Sequence, residues 1–538
     1  MNKKEVLELF PSPYFRKYQK ETIEKMVDAF NSGVKCILLG APTGSGKSFI
    51  NTTFCRYWTS FYATPQLSLI DQIKRDPYLT HYFVELKGRQ NYYCAFDPSA
   101  TVDVGVCRRR SDFNCPKDEV CPYWIQKLEA LKAQTVLMSF AYLLLEGKTK
   151  GKYSLGSREL LVLDEAHSID RYLIDYVNFV ISPWNLPFDV YQKIEKLLAL
   201  EPEDFYELTC LVSAVHDQVE REAEFLKRRG VFRPLTLEEV KELNRLEDWS
   251  SKAEVFLSLS DRVEWIWDLT WTKYRGKPRR RLVVKPVYAG IFGKELLWWR
   301  ADRYIVSSAT ILDPEVFVEE SGLDKVLDAD EVIFIEVPST FPVINRPVID
   351  ATNGKLTVNK KEENFPWAVE ILEKILDIEE GKNIAVHCHS YDNARRIYEM
   401  LDDKYKDRIV LQTPETREED LKKWMNSRGK VFLCVAFTEG QDWVGDICEA
   451  QVLFKVPFPD LSDKRVAKRL EKKEWKWYQL EAMKQVIQAY GRSVRREVDK
   501  ARFYVIDKSF VNLVRRTRRY LPEWFRQALP KKWGGELE

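Results

Sequence analysis

Apolar residues along this chain keep two rhythms. The first is a set of short, almost uninterrupted runs: Cys36–Leu39, Leu160–Leu163, Tyr304–Val306, Ile384–Val386, Val431–Val435 and Phe503–Ile506. Runs this short and this apolar suit parallel strands covered on both faces. Helical spacing separates several of them, and an amphipathic helix is expected over Tyr18–Phe30. Strands alternating with helices predict an α/β fold. The middle of the chain differs. From about Asp170 to Trp271 the apolar positions (Leu211, Val212, Val215, Val219, Ala223, Leu226, then Leu237 to Leu257) fall near helix spacing, which predicts a mostly helical insertion. The α/β pattern returns from Ser307, and a second sheet is expected to begin after Thr357.

At roughly 100–200 residues per domain, 538 residues suggest three or four domains. The net charge of +2 means that any hold on a polyanion must come from local basic patches. Residues 1–33 contain no signal-like apolar segment, and no run of about 18 apolar residues occurs, so a secreted or membrane-spanning protein is not expected. That points to the cytoplasm, or the nucleus in a eukaryote, with no membrane partner. In such a reducing compartment a disulfide framework is disfavoured.

Residues 40–48 read Gly-Ala-Pro-Thr-Gly-Ser-Gly-Lys-Ser directly after an apolar run. Apart from Ala41 in place of the first glycine, this is a phosphate-binding loop. Gly44 and Gly46 let backbone N–H groups around Thr43 and Ser45 curl about phosphate oxygens, and the following helix N-terminus adds positive potential. Lys47 is placed for the β/γ-phosphates of ATP and Ser48 for Mg²⁺. After the run Leu160–Leu163, Asp164 and Glu165 put two carboxylates at a strand end. There Asp164 can hold Mg²⁺ and Glu165 can orient the attacking water, with His167 placed to sense the γ-phosphate. Ser307-Ser-Ala-Thr310, Gly440-Gln-Asp442 and Gln488-Ala-Tyr-Gly-Arg492-Ser-Val-Arg495 follow in order. Arg492 and Arg495, three apart, are expected on one helical face, from which arginines can reach phosphate across a cleft.

Four of the ten cysteines, Cys94, Cys107, Cys115 and Cys121, fall within 28 residues. Their gaps lack the close pairs of structural zinc, whereas an iron–sulfur cluster on a loop-rich lobe accepts wider spacing. His387 and His389 flank Cys388 with no acidic cluster, so a nuclease is not indicated; strand-end packing near the domain cleft is expected.

In this order the motifs, with Tyr62-Ala-Thr-Pro-Gln66, resemble superfamily-two helicases over nearly the whole chain. Leu86 to Cys94 and Cys121-Pro-Tyr resemble the borders of the cluster lobe in the XPD/DinG family. The resemblance implies two RecA-like P-loop domains, with an iron–sulfur lobe and a helical arch inserted in the first. The expected division is a first motor domain at 1–85, 131–170 and 286–345, a cluster lobe at 86–130, an arch at 171–285 and a second motor domain at 346–538. It also implies ATP between the motor domains, Arg16 and Gln19 on the adenine side, Gly440 and Asp442 at the nucleotide, and a [4Fe-4S] cluster. The implied activity is that of a monomeric motor moving 5′→3′ on single-stranded and forked DNA.

Three stretches can carry a strand. Arg108-Arg109-Arg110 lies near Tyr92, Tyr93 and Phe96, and basic groups beside aromatics suit sequence-tolerant single-strand binding. The others are Lys273–Lys285, with seven basic residues in thirteen and no acid, and the C-terminal Arg515–Arg519. An RNA-remodelling ATPase with the Asp-Glu-Ala-His motif and a motor-derived binding protein are the alternatives. The cysteine lobe argues against the first and the intact motifs against the second. Repair, replication and transcription-linked roles all suit such a motor.

Overall fold

The computed structural model describes residues 1–147, 149–435, 443 and 445–533. Two parallel sheets form its frame. The first has seven strands in the order Val332–Glu336, Cys36–Gly40, Ala301–Ser308, Arg158–Asp164, Ser60–Thr64, Thr135–Ser139, Val84–Glu85. The second has six, in the order Val348–Asp350, Arg502–Val505, Ala450–Leu453, Ile384–His387, Val431–Cys434, Ile409–Leu411. Every pairing in both is parallel. Their central strands are buried on both faces, which is why they read as continuous apolar runs. The second sheet starts at Val348, ahead of the expected Thr357, because its first strand is a three-residue edge too short to leave a pattern.

The insertion between Asp164 and Ala301 combines helices with a sheet. Helices Phe205–Phe232 and Leu237–Leu259 pack together, burying Leu211, Val212, Val215, Val219, Ala223 and Leu226 against Val240, Leu246 and Phe256. Thr236 and Glu239 close the turn between them as a reciprocal capping box. The rest departs from the all-helical expectation. Trp265–Tyr274 and Lys277–Pro286 form an antiparallel hairpin, and Phe179–Ile181 pairs with it as a third strand. Residues 265–274 read Trp-Ile-Trp-Asp-Leu-Thr-Trp-Thr-Lys-Tyr, rich in the aromatic and β-branched residues that fill strands.

The cysteine segment packs onto the first sheet through helix Pro122–Lys132, which begins right after Cys121 with proline at its first position. Lys127 on this helix is 1% exposed and pairs with Glu146, itself 2% exposed. Glu146 also accepts from the Leu155 N–H at 3.0 Å, and Lys127 donates to the Tyr142 hydroxyl at 3.3 Å. Among the described residues no helix is long and apolar enough to cross a membrane.

The Lys127–Glu146 pair yields a stability prediction. Losing one partner strands the other charge in the core, which costs about 3–5 kcal/mol. Lys127→Met should therefore lower the thermal midpoint and expose residues 86–130 to limited proteolysis. Lys127→Met combined with Glu146→Gln should recover much of the loss. A single variant as stable as the parent would show that the pair contributes little.

Candidate nucleotide site and cysteine lobe

The phosphate loop leaves strand Cys36–Gly40 and closes into helix Lys47–Tyr57. Ala41 is fully buried, its backbone is not left-handed, and its N–H donates to the Ser308 carbonyl at 3.1 Å. Nothing at this position therefore requires glycine. Gly44 and Gly46 differ. Both have positive φ, and an added Cβ would stand 2.6 Å from the Arg495 carbonyl at Gly44 and 2.2 Å from Gln19 Nε2 at Gly46. The loop is thus clasped from both sides. Gln19 donates to the carbonyls of Ser45 (3.2 Å) and Gly46 (3.3 Å), and Arg16 to that of Gly44 (2.9 Å). From the second sheet's side, the Gly491 carbonyl accepts from the Thr43 hydroxyl at 2.9 Å.

At the neighbouring strand end, Asp164 is held by four donors. Tyr62 OH lies 2.7 Å from Oδ2 and Ser48 Oγ 3.5 Å from it; the Glu165 N–H lies 3.0 Å and Ser307 Oγ 3.3 Å from Oδ1. Burial pushes the Asp164 carboxyl up despite nearby Lys47. Glu165 goes the other way. Burial opposes its charge, but Lys47 and His167 hold it well below the usual carboxylate range. Lys47 Nζ is 2.6 Å from Glu165 Oε1, and both face a cleft of about 620 Å³. Ser48 and Asp164 oxygens stand close enough to share one Mg²⁺ and its water shell.

His167 joins this site to the half built on the second sheet. Its Nδ1 is 2.9 Å from Ser308 Oγ and 3.3 Å from Gln488 Nε2, and Gln488 also donates to Thr310 Oγ1 at 2.7 Å. One glutamine therefore touches the residues that follow two neighbouring strands of the first sheet. The arginines differ from expectation. Helix Trp475–Tyr490 stops before them, so Arg492 and Arg495 lie on the following loop, not on a helix face. Arg495 lines the cleft beside Thr43, Gly44 and Lys47. Arg492 is 4% exposed and turns into its own half, its guanidinium 5.2 Å from the Trp443 ring centre. Gly440 and Asp442 lie outside the described residues.

In the cysteine lobe, Cys94 and Cys121 are buried, Cys115 is half-buried and Cys107 is exposed. The Cys115 thiol is pushed up to about 11 by burial and by Cys107, Cys121 and Cys94, so it senses all three. Among the described residues no three or more such groups converge as on a single ion. The arginine triplet is used internally: Arg108 pairs with Glu247 (3.3 Å), Arg109 with Asp97, and Arg110 with Asp112 (2.8 Å). Tyr92 packs against Tyr123, leaving Tyr93 and Phe96 exposed.

The motifs do not foreshadow a groove of about 270 Å³ on the second half. Phe458 and Tyr478 stack at 5.4 Å beside half-exposed Trp475, with Lys355 and Arg516 on the rim. The aromatic run Trp475-Lys-Trp-Tyr478 is the one signal in the sequence that could have found it.

Known proteins match this arrangement. Residues 372–528 match the helicase C-terminal domain family and residues 111–186 the DEAD_2 family. The ATP-dependent DNA helicase DinG of Photobacterium profundum is 26% identical over 296 residues, 49% of this chain and 42% of its own length. The chain thus spans less than half of that relative. An XPD helicase structure superposes with a TM-score of 0.63 at 16% identity, covering 94% of this chain and 98% of its own. Xpd4 of S. tokodaii gives 0.57 at 16% identity, covering 93% and 97%.

His387 supplies a pH prediction. It is buried, bonded through Nε2 to Gln451 at 2.8 Å and stacked on Trp443, and burial pulls its pKa from 6.5 to about 4. His389 is pulled to about 4 in the same way. A folded-state pKa below the unfolded one stabilises fully above about pH 6.5 and is lost as pH falls towards 4, up to about 3 kcal/mol per histidine. The melting temperature should therefore drop between pH 7 and 5, and His387→Gln should shallow that drop; an unchanged slope would remove His387 from the cause.

The two helicase family models match separate parts of the chain, and the fold as a whole is that of the XPD helicase structures.

Proposed function

We propose that this chain is an ATP-dependent DNA helicase that moves 5′→3′ on single-stranded DNA, with a [4Fe-4S] lobe at the fork. The observation that carries the motor reading is Gln488, which reaches from the second half to His167 and Thr310 at the phosphate site. A change at the γ-phosphate is thereby transmitted to the other half.

The phosphate loop N–H groups and Lys47 would hold the triphosphate, and Ser48 with Asp164 would hold its Mg²⁺. As Lys47 turns to the phosphates its pairing with Glu165 weakens, and Glu165 is left to orient the water. Arg495, at the cleft wall, is the arginine finger. Arg492, stacked on Trp443 in its own half, is the second arginine that would reach the phosphates when the halves close. Gln19 and Arg16 fix the loop from the adenine side, and Gly440 and Asp442 complete the nucleotide contacts. The strand lies along the groove of Phe458, Trp475 and Tyr478, where rings offer stacking faces and Lys355 and Arg516 meet phosphates.

Cys94, Cys107, Cys115 and Cys121 would hold the cluster. An all-thiol set suits iron–sulfur ligation, and Cys94 packs tightly under Gly105. Such a group cross-links a lobe that has little apolar core of its own. The proposed limits are 1–85, 131–170 and 286–345 for the first motor domain, 86–130 for the lobe, 171–285 for the arch and 346–538 for the second motor domain.

The motor is tested by ATP hydrolysis with and without single-stranded DNA or RNA, and by strand displacement from 5′- and 3′-tailed duplexes. DNA should stimulate more than RNA, and only 5′ tails should support unwinding. Lys47→Ala should abolish turnover. Arg495→Ala should keep nucleotide binding and lose about 10³-fold in turnover. Wild-type turnover in Lys47→Ala would end the motor reading.

The cluster is tested by Cys107→Ser. The anaerobically purified parent should carry iron and a brown chromophore, and the variant should lose iron and unwinding while retaining part of its ATP hydrolysis. Zinc without iron in the parent would replace the cluster by a structural zinc site.

A further inference from the structure

The hairpin Trp265–Tyr274/Lys277–Pro286 carries more charge and more exposed aromatic surface than a structural ribbon requires. Residues 269–287 contain no acid. Three of the hairpin's seven basic residues between Lys273 and Lys285 are neutralised nearby: Arg279 by Glu195 (2.8 Å), Arg280 by Glu201 and Lys285 by Asp463 (2.6 Å). Lys273, Arg275, Lys277 and Arg281 have no carboxylate partner among the described residues. Three of these four lie at the tip and are exposed.

The aromatic rings lie among these cations. Trp271 is 66% exposed, with the Arg280 guanidinium 5.2 Å from its ring centre. On the other face of the hairpin Trp184, 60% exposed, meets Tyr274 edge-on at 4.8 Å, and Tyr274 stacks on Phe188 at 5.0 Å. Arg275 covers both Tyr274 and Phe188. The turn itself is held rigid: Tyr274 pairs with Lys277 across two residues that both have positive φ, Arg275 (49°) and Gly276 (76°). A two-residue turn of this hand favours asparagine or glycine at both positions. Here the first position keeps an arginine in a strained conformation, and strained residues cluster at working sites.

Uncompensated cations alternating with accessible rings are the chemistry of sequence-tolerant single-strand binding: phosphates meet the cations and bases lie on the rings. The second half has its own such groove around Trp475. We propose that the hairpin tip binds a second single strand, the one displaced during unwinding, and that Lys273, Arg275, Lys277 and Trp271 form this contact. This inference rests on the reading of the chain as a nucleic-acid motor.

The experiment compares full-length protein with the Lys273→Ala/Arg275→Ala/Lys277→Ala triple variant, and separately with Trp271→Ala and Trp271→Phe. Binding by fluorescence anisotropy is measured on a fork with two single-stranded tails, the same duplex with only the 5′ tail, and the blunt duplex, over a range of salt. The triple variant should bind the two-tailed fork about ten-fold more weakly. Its salt slope there should fall by about two, at roughly 0.7 per phosphate contact on a single strand. Affinity for the single-tailed duplex and ATP hydrolysis stimulated by a short oligonucleotide should stay unchanged. Trp271→Phe should retain binding that Trp271→Ala loses, which separates stacking from a folding defect. Unchanged fork affinity would overturn the proposal and leave the tip to an acidic protein partner. Equal loss on the single-tailed duplex would place the tip on the main path, and a loss matched on blunt duplex would make its occupant a duplex; either overturns it. Failure of the parent protein to bind any tailed DNA would instead strike the helicase reading itself.

Discussion

Two adjacent carboxylates buried at one strand end cannot both ionise without cations close by, and much of this molecule is arranged around that constraint. Burial raises Asp164 while Lys47 holds Glu165 down. Lys47 is therefore shared between Glu165 and any phosphate that enters the loop. A triphosphate in the loop would compete for the lysine, and Asp164 with Ser48 would hold a Mg²⁺ there. The donors already around Asp164, from Tyr62, Ser48 and Ser307, keep its oxygens aimed while this exchange occurs. Since His167 sits 3.5 Å from Glu165 and within reach of Gln488, the same exchange is felt in the second half.

The parts legible in the sequence are those with a strong local signature. Buried central strands are apolar throughout, and the phosphate loop needs its glycines and lysine in a fixed order. What is not legible depends on partners distant in the chain. The spacing of Arg492 and Arg495 suggests one helix face, but Gly491 caps the helix and Arg492 finds Trp443 instead. The arginine triplet looks like a strand-binding patch because Asp97 and Glu247, which neutralise two of its members, lie 12 and 139 residues away. The start of the hairpin reads as helical territory, since Trp265 follows a long helix without a glycine or proline break. Strands such as Val84–Glu85 and Val348–Asp350 escape a sequence reading because two or three residues carry no period.

The second half is tied to the insertion and to the rest of the first half by contacts of two kinds. Lys285–Asp463, Lys464–Asp268 (3.4 Å) and the Arg465 bond to the Val287 carbonyl (2.8 Å) are partly exposed. Exposed pairs are worth about 0–1 kcal/mol each and weaken with salt, so these can part and re-form. Arg469 is different. It is 2% exposed, bonds Glu320 of the first half through both terminal nitrogens, and lies 3.8 Å from the Trp477 ring centre. A buried guanidinium so engaged does not let go cheaply, because release strands its charge and that of Glu320.

The fixed contact and the loose ones lie along one short segment, Asp463 to Trp477, which runs into the helix that ends beside Gln488 and Arg492. A segment pinned near its middle and loosely tied at its start behaves as a lever. The buried Arg469 contact sits between the exposed pairs that hold the hairpin and the helix that ends beside Gln488. The hairpin is part of an insertion in the first half but is gripped by the second, through pairs that can part and re-form without unfolding either side. The contacts between this segment and the insertion thus run from the end of that helix to the hairpin without involving the cysteine lobe.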